Sequence, residues 1–304
     1  MATSQLDFET IRKNLDGVKE IRVMLGTPML DSKCHAGYKN SVIDLVNLLN
    51  RWGVQLNIFD IYGQSVISHA RNIIAGGFMN SSFDRPDDRL LLIDSDITFQ
   101  AEDILHMIVL DKDIIAAPCT SKTINWERIR QASLLGYQAN ELPALGGDII
   151  TDFITDGGYV DDPVEVKTVG TGVMMIKRSV LQRMKEALPE IKYTKIPPVT
   201  MRGGYSPGED AYAYFQAIID PNPPYYNLTE DWVFCNRARK LGIKTYICLW
   251  MKTIHMGSFA YLMDIPATAE FLQKKEEFEK RIVSDRIEKE AKERKEIEKL
   301  VEAE

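Results

Sequence analysis

The stretch Arg89-Leu-Leu-Leu-Ile-Asp-Ser-Asp-Ile-Thr-Phe99 joins an apolar run to two carboxylates. The run from Leu90 to Ile93 is short and wholly apolar, which is typical of a strand buried on both faces of a parallel sheet. Asp94 and Asp96 follow where this strand ends, and open α/β folds bind ligands at the carboxyl ends of their strands. The stretch therefore predicts an α/β domain with two carboxylates at its ligand-binding edge.

Two carboxylates held side by side favour a bound cation. Alternate residues of a strand point the same way, so Asp94 and Asp96 would need a positive counterpart, and a hard divalent cation would in turn attract a diphosphate. The alternative is that both aspartates cap and turn the chain before a helix that begins near Ala101. A second pair, Asp111 and Asp113, precedes its strand and is interpreted as a solvated turn at the opposite edge of the sheet.

The composition of the chain narrows the classes of protein to which it can belong. The chain has 304 residues, of which 45% are hydrophobic, enough for one large domain or two small ones with a real core. Its net charge of −7 gives no overall basic surface, so a nucleic-acid partner is not expected. The polar N-terminus lacks a signal-peptide pattern, and no apolar run approaches the ~20 residues of a membrane span. With four scattered cysteines, these features predict a soluble, cytoplasmic protein.

Strand and helix signals alternate through the first 120 residues, with strands predicted at 21–25, 55–61, 90–93 and 114–118 and helices at 40–52, 65–79 and 101–110. This order favours a doubly wound, mostly parallel sheet. Residues 120–165 lose the pattern and are predicted to form loops and short antiparallel strands. A strand at 164–169 and a helix at 178–188 follow, and the Gly- and Pro-rich loop 197–224 is interpreted as a mobile lid.

The end of the chain has a different composition. Residues 274–304 contain 10 basic and 11 acidic residues and no Gly or Pro. They predict one long, solvated helix of about 45 Å, supported by ion pairs between residues four apart. The spacing of its apolar residues leaves open whether it is a surface helix or forms a homodimer.

A second acidic pair lies at the start of another predicted helix. Thr229 is the expected N-cap, Glu230 and Asp231 occupy the first turn, and Gly242 ends the helix. Acidic residues at this place complement the helix dipole, but a carboxylate aimed into a cleft would also suit a general base. His255 follows the next strand and is either a structural residue or a third metal ligand, which would favour Mn²⁺ or Mg²⁺.

Taken in order, these clusters resemble a glycosyltransferase of the GT-A fold, in the broad group similar to family 2 and its viral, phage and bacterial relatives. The motifs are a D-x-D motif at Asp94-Ser95-Asp96, a glycine-rich stretch from Gly170 to Arg178, an "ED" motif at Glu230-Asp231 and a terminal histidine, His255. The resemblance implies a GT-A (Rossmann-like) domain over residues 1–265. Its nucleotide-binding part would be 20–120 and its smaller, partly antiparallel acceptor part 121–265, followed by a charged helical tail at 266–304.

The resemblance also implies roles for individual residues. Asp96 and His255 would bind the metal, Asp94 would contact the metal or the ribose, and Asp231, with Glu230 beside it, would be the catalytic base. The residues assigned to the nucleotide sugar are Thr27, Pro28, Asp60, Arg71, Asn72, Asp94, Ser95, Gly170, Thr171 and Gly172.

The implied reaction is an inverting, metal-dependent transfer of a sugar from a nucleotide-diphosphate sugar, by default a UDP-sugar, to a hydroxyl of a glycan or glycoconjugate. The cation would neutralise the leaving diphosphate while Asp231 deprotonates the acceptor. Glu209-Asp210 is a second "ED" pair. Asp231 is preferred as the base because Gly242 and His255 follow it in the sequence at the expected spacing. The alternatives are a retaining glycosyltransferase on the same fold, a sugar nucleotidyltransferase, and a nucleotide-sugar-binding scaffold without activity.

Overall fold

A computed structural model describes residues 21–154, 162–193 and 211–301, with side chains in the last helix as far as residue 285. The helices are α1 (Ala36–Arg51), α2 (Ile67–Met79), α3 (Ala101–Val109), α4 (Trp126–Leu134), α5 (Arg178–Ala187), α6 (Glu230–Lys240) and α7 (Ile265–Val301). The strands are β1 (Arg22–Met29), β2 (Gln55–Tyr62), β3 (Arg89–Ile93), β4 (Ile97–Thr98), β5 (Ile114–Ala116), β6 (Thr151–Phe153), β7 (Val164–Val169), β8 (Val173–Lys177), β9 (Lys192–Tyr193), β10 (Ala211–Tyr212), β11 (Ile218–Ile219), β12 (Asn227–Leu228), β13 (Thr245–Ile247), β14 (Thr253–Met256) and β15 (Ala260–Met263).

The central element is an eight-stranded sheet with the order β2-β1-β3-β8-β5-β13-β7-β6. β1, β2, β3, β5, β6 and β13 run in one direction, whereas β7 and β8 run in the other. The chain is therefore a mixed α/β fold with a large, mostly parallel sheet, as predicted. The position of β8, antiparallel between β3 and β5, was not predicted.

Helices cover both faces of the sheet. All five residues of β3 are buried, because Leu90 and Leu92 pack in a cluster with α2, α5 and α6 while Leu91 and Ile93 pack in a cluster with α1 and α3. This arrangement explains why the β3 run is apolar throughout instead of alternating. Gly53 and Gly242 end α1 and α6 with φ angles of +70° and +72°, as expected for C-terminal glycines.

The segment after β5 contains a helix that the sequence analysis missed. α4 begins after Asn125, whose side chain accepts a hydrogen bond from the backbone of Arg128. Its inner face is narrow, with fully buried Ala132 packing against Leu145 and Phe271. Because the rest of α4 is mostly polar, its sequence resembles a loop. Residues 155–161 and 194–210, which include the first half of the predicted lid and Glu209-Asp210, lie outside the described residues.

The C-terminal segment is one helix, α7, about 55 Å long if straight. It begins at Ile265, next to the predicted start of the tail at residue 266, and is held to the domain by Phe271, which packs in the cluster with α4. Its exposed surface carries ion pairs four residues apart, such as Glu270 with Lys274 at 2.8 Å. Across the described residues, none of the helices combines the length and the hydropathy needed to cross a membrane.

Candidate active site

Several polar side chains meet at the carboxyl edge of the sheet. Asp94 follows β3, Thr120 and Lys122 follow β5, and His255 lies on β14, shortly after β13. Since β3, β5 and β13 run in the same direction, the segments that follow them leave the sheet on the same side. The sheet thus brings residues from distant parts of the chain to one place.

Asp96 and His255 lie next to each other. β4 and β14 pair antiparallel with His255 opposite Ile97, and the backbone N–H of Met256 donates to the carbonyl of Asp96 at 2.8 Å. This register places Nε2 of His255 3.4 Å from Oδ1 of Asp96. The structure therefore brings together two of the three predicted metal ligands.

The orientation of the His255 ring is fixed by a backbone carbonyl. Nδ1 lies 2.8 Å from the carbonyl oxygen of Thr120, and because that oxygen can only accept, Nδ1 must donate. Nε2 is the nitrogen that faces Asp96. Burial lowers the pKa of His255, but the hydrogen bonds with Asp96 and Thr120 outweigh it, so the pKa is raised above the ordinary value. A hydrogen bond from the other ring nitrogen to a backbone carbonyl is typical of metal-binding histidines.

Lys122 is a site residue that the sequence analysis missed. Its Nζ lies 2.5 Å from Oδ2 of Asp96. Burial acts to raise the pKa of Asp96, but the hydrogen bonds from His255 and Lys122 outweigh it and lower the pKa to about 2. Asp96 is therefore ionised at neutral pH. The position of Lys122, a few residues after a buried strand, is the sequence signal that would have identified it.

Arg71 connects the two acidic motifs. It is buried on α2, and its Nη2 lies 2.9 and 3.1 Å from the two carboxylate oxygens of Asp94. Its Nη1 donates to Glu230. Burial acts to lower the pKa of Arg71, but the charges of Asp94 and Glu230 raise it above its ordinary value. Asp94 thus binds Arg71, whereas Asp96 binds His255 and Lys122.

Glu230 and Asp231 differ in their partners. Glu230 binds Arg71, whereas Oδ1 of Asp231 accepts hydrogen bonds from the Thr229 hydroxyl and from the backbone of Trp232 at 2.8 Å. Thr229 occupies the predicted N-cap position, but its side chain makes no capping bond. Oδ2 of Asp231 faces Gly170, where an added Cβ would lie 3.7 Å from it.

The turn from Gly170 to Gly172 lies between the two acidic motifs. The carbonyl of Gly172 accepts a hydrogen bond from the backbone of Asp94 at 3.0 Å, and Gly170 is next to Asp231. A Cβ on Gly172 would lie only 2.7 Å from Sγ of Cys119, so the close approach requires glycine. The Thr171 hydroxyl is buried and makes no hydrogen bond within the described structure.

The residues predicted to surround the nucleotide have different environments. Thr27 is buried and hydrogen-bonds the hydroxyl of Tyr38, and Pro28 is buried beside it. The Asn72 side chain donates to the carbonyl of Phe215 at 2.7 Å and accepts from its N–H at 2.8 Å. The side chains of Thr27 and Asn72 therefore make hydrogen bonds within the protein.

Asp60 lies opposite Thr27 in the pairing of β1 with β2. Its Oδ1 is buried without a hydrogen-bond partner among the described residues, and burial raises its pKa. An acceptor in this state fits a ligand that donates a hydrogen bond. The backbone carbonyl of Ser95, which was also assigned to the nucleotide sugar, accepts a hydrogen bond from His35 at 2.9 Å.

Within the described residues, no group of three or more His, Cys, Asp and Glu side chains is arranged to hold a metal ion. Asp94 is paired with Arg71, at 2.9 Å from Nη2, and not with His255. The predicted set of three ligands is therefore a set of two in this structure.

No protein-family model matches this chain, and no curated protein is significantly similar to it. The interpretation of the site therefore depends on its own geometry and motifs.

Proposed function

We propose that this chain is a metal-dependent glycosyltransferase of the GT-A fold. It would transfer a sugar with inversion from a nucleotide-diphosphate sugar, with UDP as the default nucleotide, to a hydroxyl of a glycan or glycoconjugate. The observation that carries the proposal is the pairing of Asp96 with His255, 3.4 Å apart at the carboxyl edge of the sheet. A second acidic motif lies across the Gly170–Gly172 turn from Asp94, where an attacking hydroxyl would need a base.

The chemistry of Asp96 and His255 fits a divalent cation. A carboxylate oxygen and an imidazole nitrogen suit Mn²⁺, and Mg²⁺ accepts the carboxylate. The hydrogen bond of Nδ1 with Thr120 leaves Nε2 of His255 as the nitrogen that can bind a metal. A bound cation would supply positive charge that stabilises the departing nucleotide diphosphate.

Lys122 also supports a position for the diphosphate beside Asp96 and His255. Its ammonium group, 2.5 Å from Asp96, places a second positive charge at the edge of the sheet. An ammonium on a flexible side chain is a common ligand of phosphate oxygens. We infer that Lys122 would move from Asp96 to the diphosphate when Asp96 binds the cation.

Asp231 is the better candidate for the base because Glu230 is bound to Arg71. In the proposed step the acceptor oxygen bonds to the anomeric carbon while the bond between that carbon and the diphosphate oxygen breaks. The acceptor proton passes to Asp231. Attack opposite the leaving group inverts the anomeric centre, and NMR of the product anomer separates this reaction from that of a retaining enzyme.

Substitution of the two acidic residues tests the assignment. Asp231→Asn is expected to lower kcat for transfer from a UDP-sugar by roughly 10²–10⁴-fold, because the general base is lost, while UDP binding is unchanged. Glu230→Gln should lower kcat less and should also lower the melting temperature, because Arg71 loses a charged partner. The matched control is Asp113→Asn, at the other edge of the sheet. Wild-type turnover in Asp231→Asn would contradict the proposal.

A further inference from the structure

An apolar cavity of about 300 Å³ lies beside the candidate active site. Its lining includes three aromatic side chains, Trp126, Phe259 and Tyr261, together with aliphatic residues such as Ile129 and Leu142. Trp126 and Phe259 are 68% and 61% exposed. Large aromatic side chains that stay exposed around a concave apolar surface are typical of a binding site.

Residues that line the cavity contact the segments that hold Asp96 and His255. Tyr261 is the register partner of His255 in the β14–β15 hairpin. An added Cβ on Gly257 would lie 3.1 Å from Lys122 and 3.2 Å from Tyr261, so these two side chains flank the same backbone. Gly147, which lines the cavity, packs against Thr120, whose carbonyl holds the His255 ring.

The cavity and Asp60 lie on opposite sides of the D-x-D motif. In the sheet, β2 and β1 lie on one side of β3, whereas β5 lies on the other. Asp60, with its unpartnered carboxylate oxygen, is on β2, and the cavity is formed by Trp126 and other residues of the segment that follows β5. A ligand that spans the edge would therefore place its nucleotide toward β2 and its acceptor toward the cavity.

The chemistry of the lining selects the ligand. The described lining contains no charged side chain, and Trp126 and Tyr261 are the residues in it that carry a polar side-chain group. A free sugar buried there would leave most of its hydroxyls without partners, which is costly. A hydrocarbon chain or an aromatic ring needs no such partners.

We propose that this cavity binds the apolar portion of an amphipathic acceptor, a hydrocarbon chain or ring attached to the group that carries the acceptor hydroxyl. The assignment to the acceptor rests on the proposed glycosyltransferase function. The selection of an apolar ligand rests on the lining alone.

Calorimetric titration with two glucosides that differ only in their chain tests the proposal. Octyl β-D-glucoside, used below its micelle-forming concentration, is expected to bind at least about tenfold more tightly than methyl β-D-glucoside, because a few buried methylene groups give that factor. Trp126→Ala and Ala260→Trp should remove most of this difference, the first by deleting an aromatic wall and the second by filling the cavity. Leu134→Ala, an exposed residue of the same helix outside the lining, is the control.

Equal binding of the two glucosides by the wild-type chain would overturn the proposal, as would unchanged octyl glucoside binding in both cavity variants. The proposed glycosyltransferase function is tested separately, by the response of the protein to UDP and Mn²⁺. Ala260→Trp should leave this response unchanged. Asp96→Ala should give the reverse pattern, with octyl glucoside binding retained and the UDP response lost. Octyl glucoside binding without a UDP response in the wild type would overturn the acceptor assignment.

Discussion

Arg71 binds Asp94 through one nitrogen of its guanidinium group and Glu230 through another. The sequence identified both acidic motifs from their residue types and their positions at the ends of predicted elements. It did not identify their common partner, since Arg71 and Glu230 are 159 residues apart and meet through the packing of α2 and α6 on the same face of the sheet. The chemical type of each site residue could therefore be predicted from the sequence, whereas the pairs that these residues form depend on the fold.

Gly172 provides a residue-scale test of the turn between the acidic motifs. Gly172→Ala is expected to lower the free energy of unfolding by about 1–3 kcal/mol, because the new Cβ would meet Sγ of Cys119 at 2.7 Å. Denaturant unfolding measures the change. In the double variant with Cys119→Ala, the loss should be smaller than the sum of the two single losses. An additive double variant would show that the close contact is not the cause.

At the scale of elements, the alternation of strands and helices up to β5 was predicted correctly except for the short strand β4. The strand β8 was not predicted, because Val173–Lys177 was interpreted as part of a glycine-rich stretch before a helix; an apolar run predicts burial but does not give strand direction. The helix α4 was missed because its sequence is mostly polar and Ala132 is its one buried residue. Strand direction, and helix formation in a mostly polar segment, are therefore the features that local sequence leaves undetermined.

The attachment of α7 gives an element-scale prediction. Phe271 is 1% exposed, packs with α4 and meets the Tyr137 ring edge-on at 5.9 Å, whereas its neighbour Leu272 is 52% exposed. Phe271→Ala is expected to lower the free energy of unfolding by about 3–5 kcal/mol, or to release α7 locally if the helix unfolds separately. Leu272→Ala should cost less than about 0.5 kcal/mol.

Denaturant unfolding and limited proteolysis of α7 together distinguish these outcomes. A global loss appears as a lower midpoint, and local release appears as faster cleavage after residue 265. Equal stability and equal cleavage rates for the two variants would contradict the packing described for Phe271.

At the scale of the whole molecule, the candidate site is created by strand direction. The acidic chain, with a net charge of −7, places Arg71 and Lys122 among its acidic groups at one edge of the sheet. The sequence predicted this edge and the residues Asp96 and His255. It did not predict the pairing of Asp94 with Arg71, because Arg71 lies on α2 and reaches Asp94 only through the packing of the fold.

The central claim is that Asp96 and His255 hold a divalent cation that binds a nucleotide diphosphate. The most direct test is a thermal shift measurement with UDP and GDP, with and without Mn²⁺, on the wild-type chain, Asp96→Ala and the control Asp113→Ala. A nucleotide at 100 times its Kd should stabilise the protein by about 2.7 kcal/mol, only with Mn²⁺ present, in the wild type and the control. The shift should be absent in Asp96→Ala, and a shift of equal size in that variant, independent of Mn²⁺, would contradict the claim.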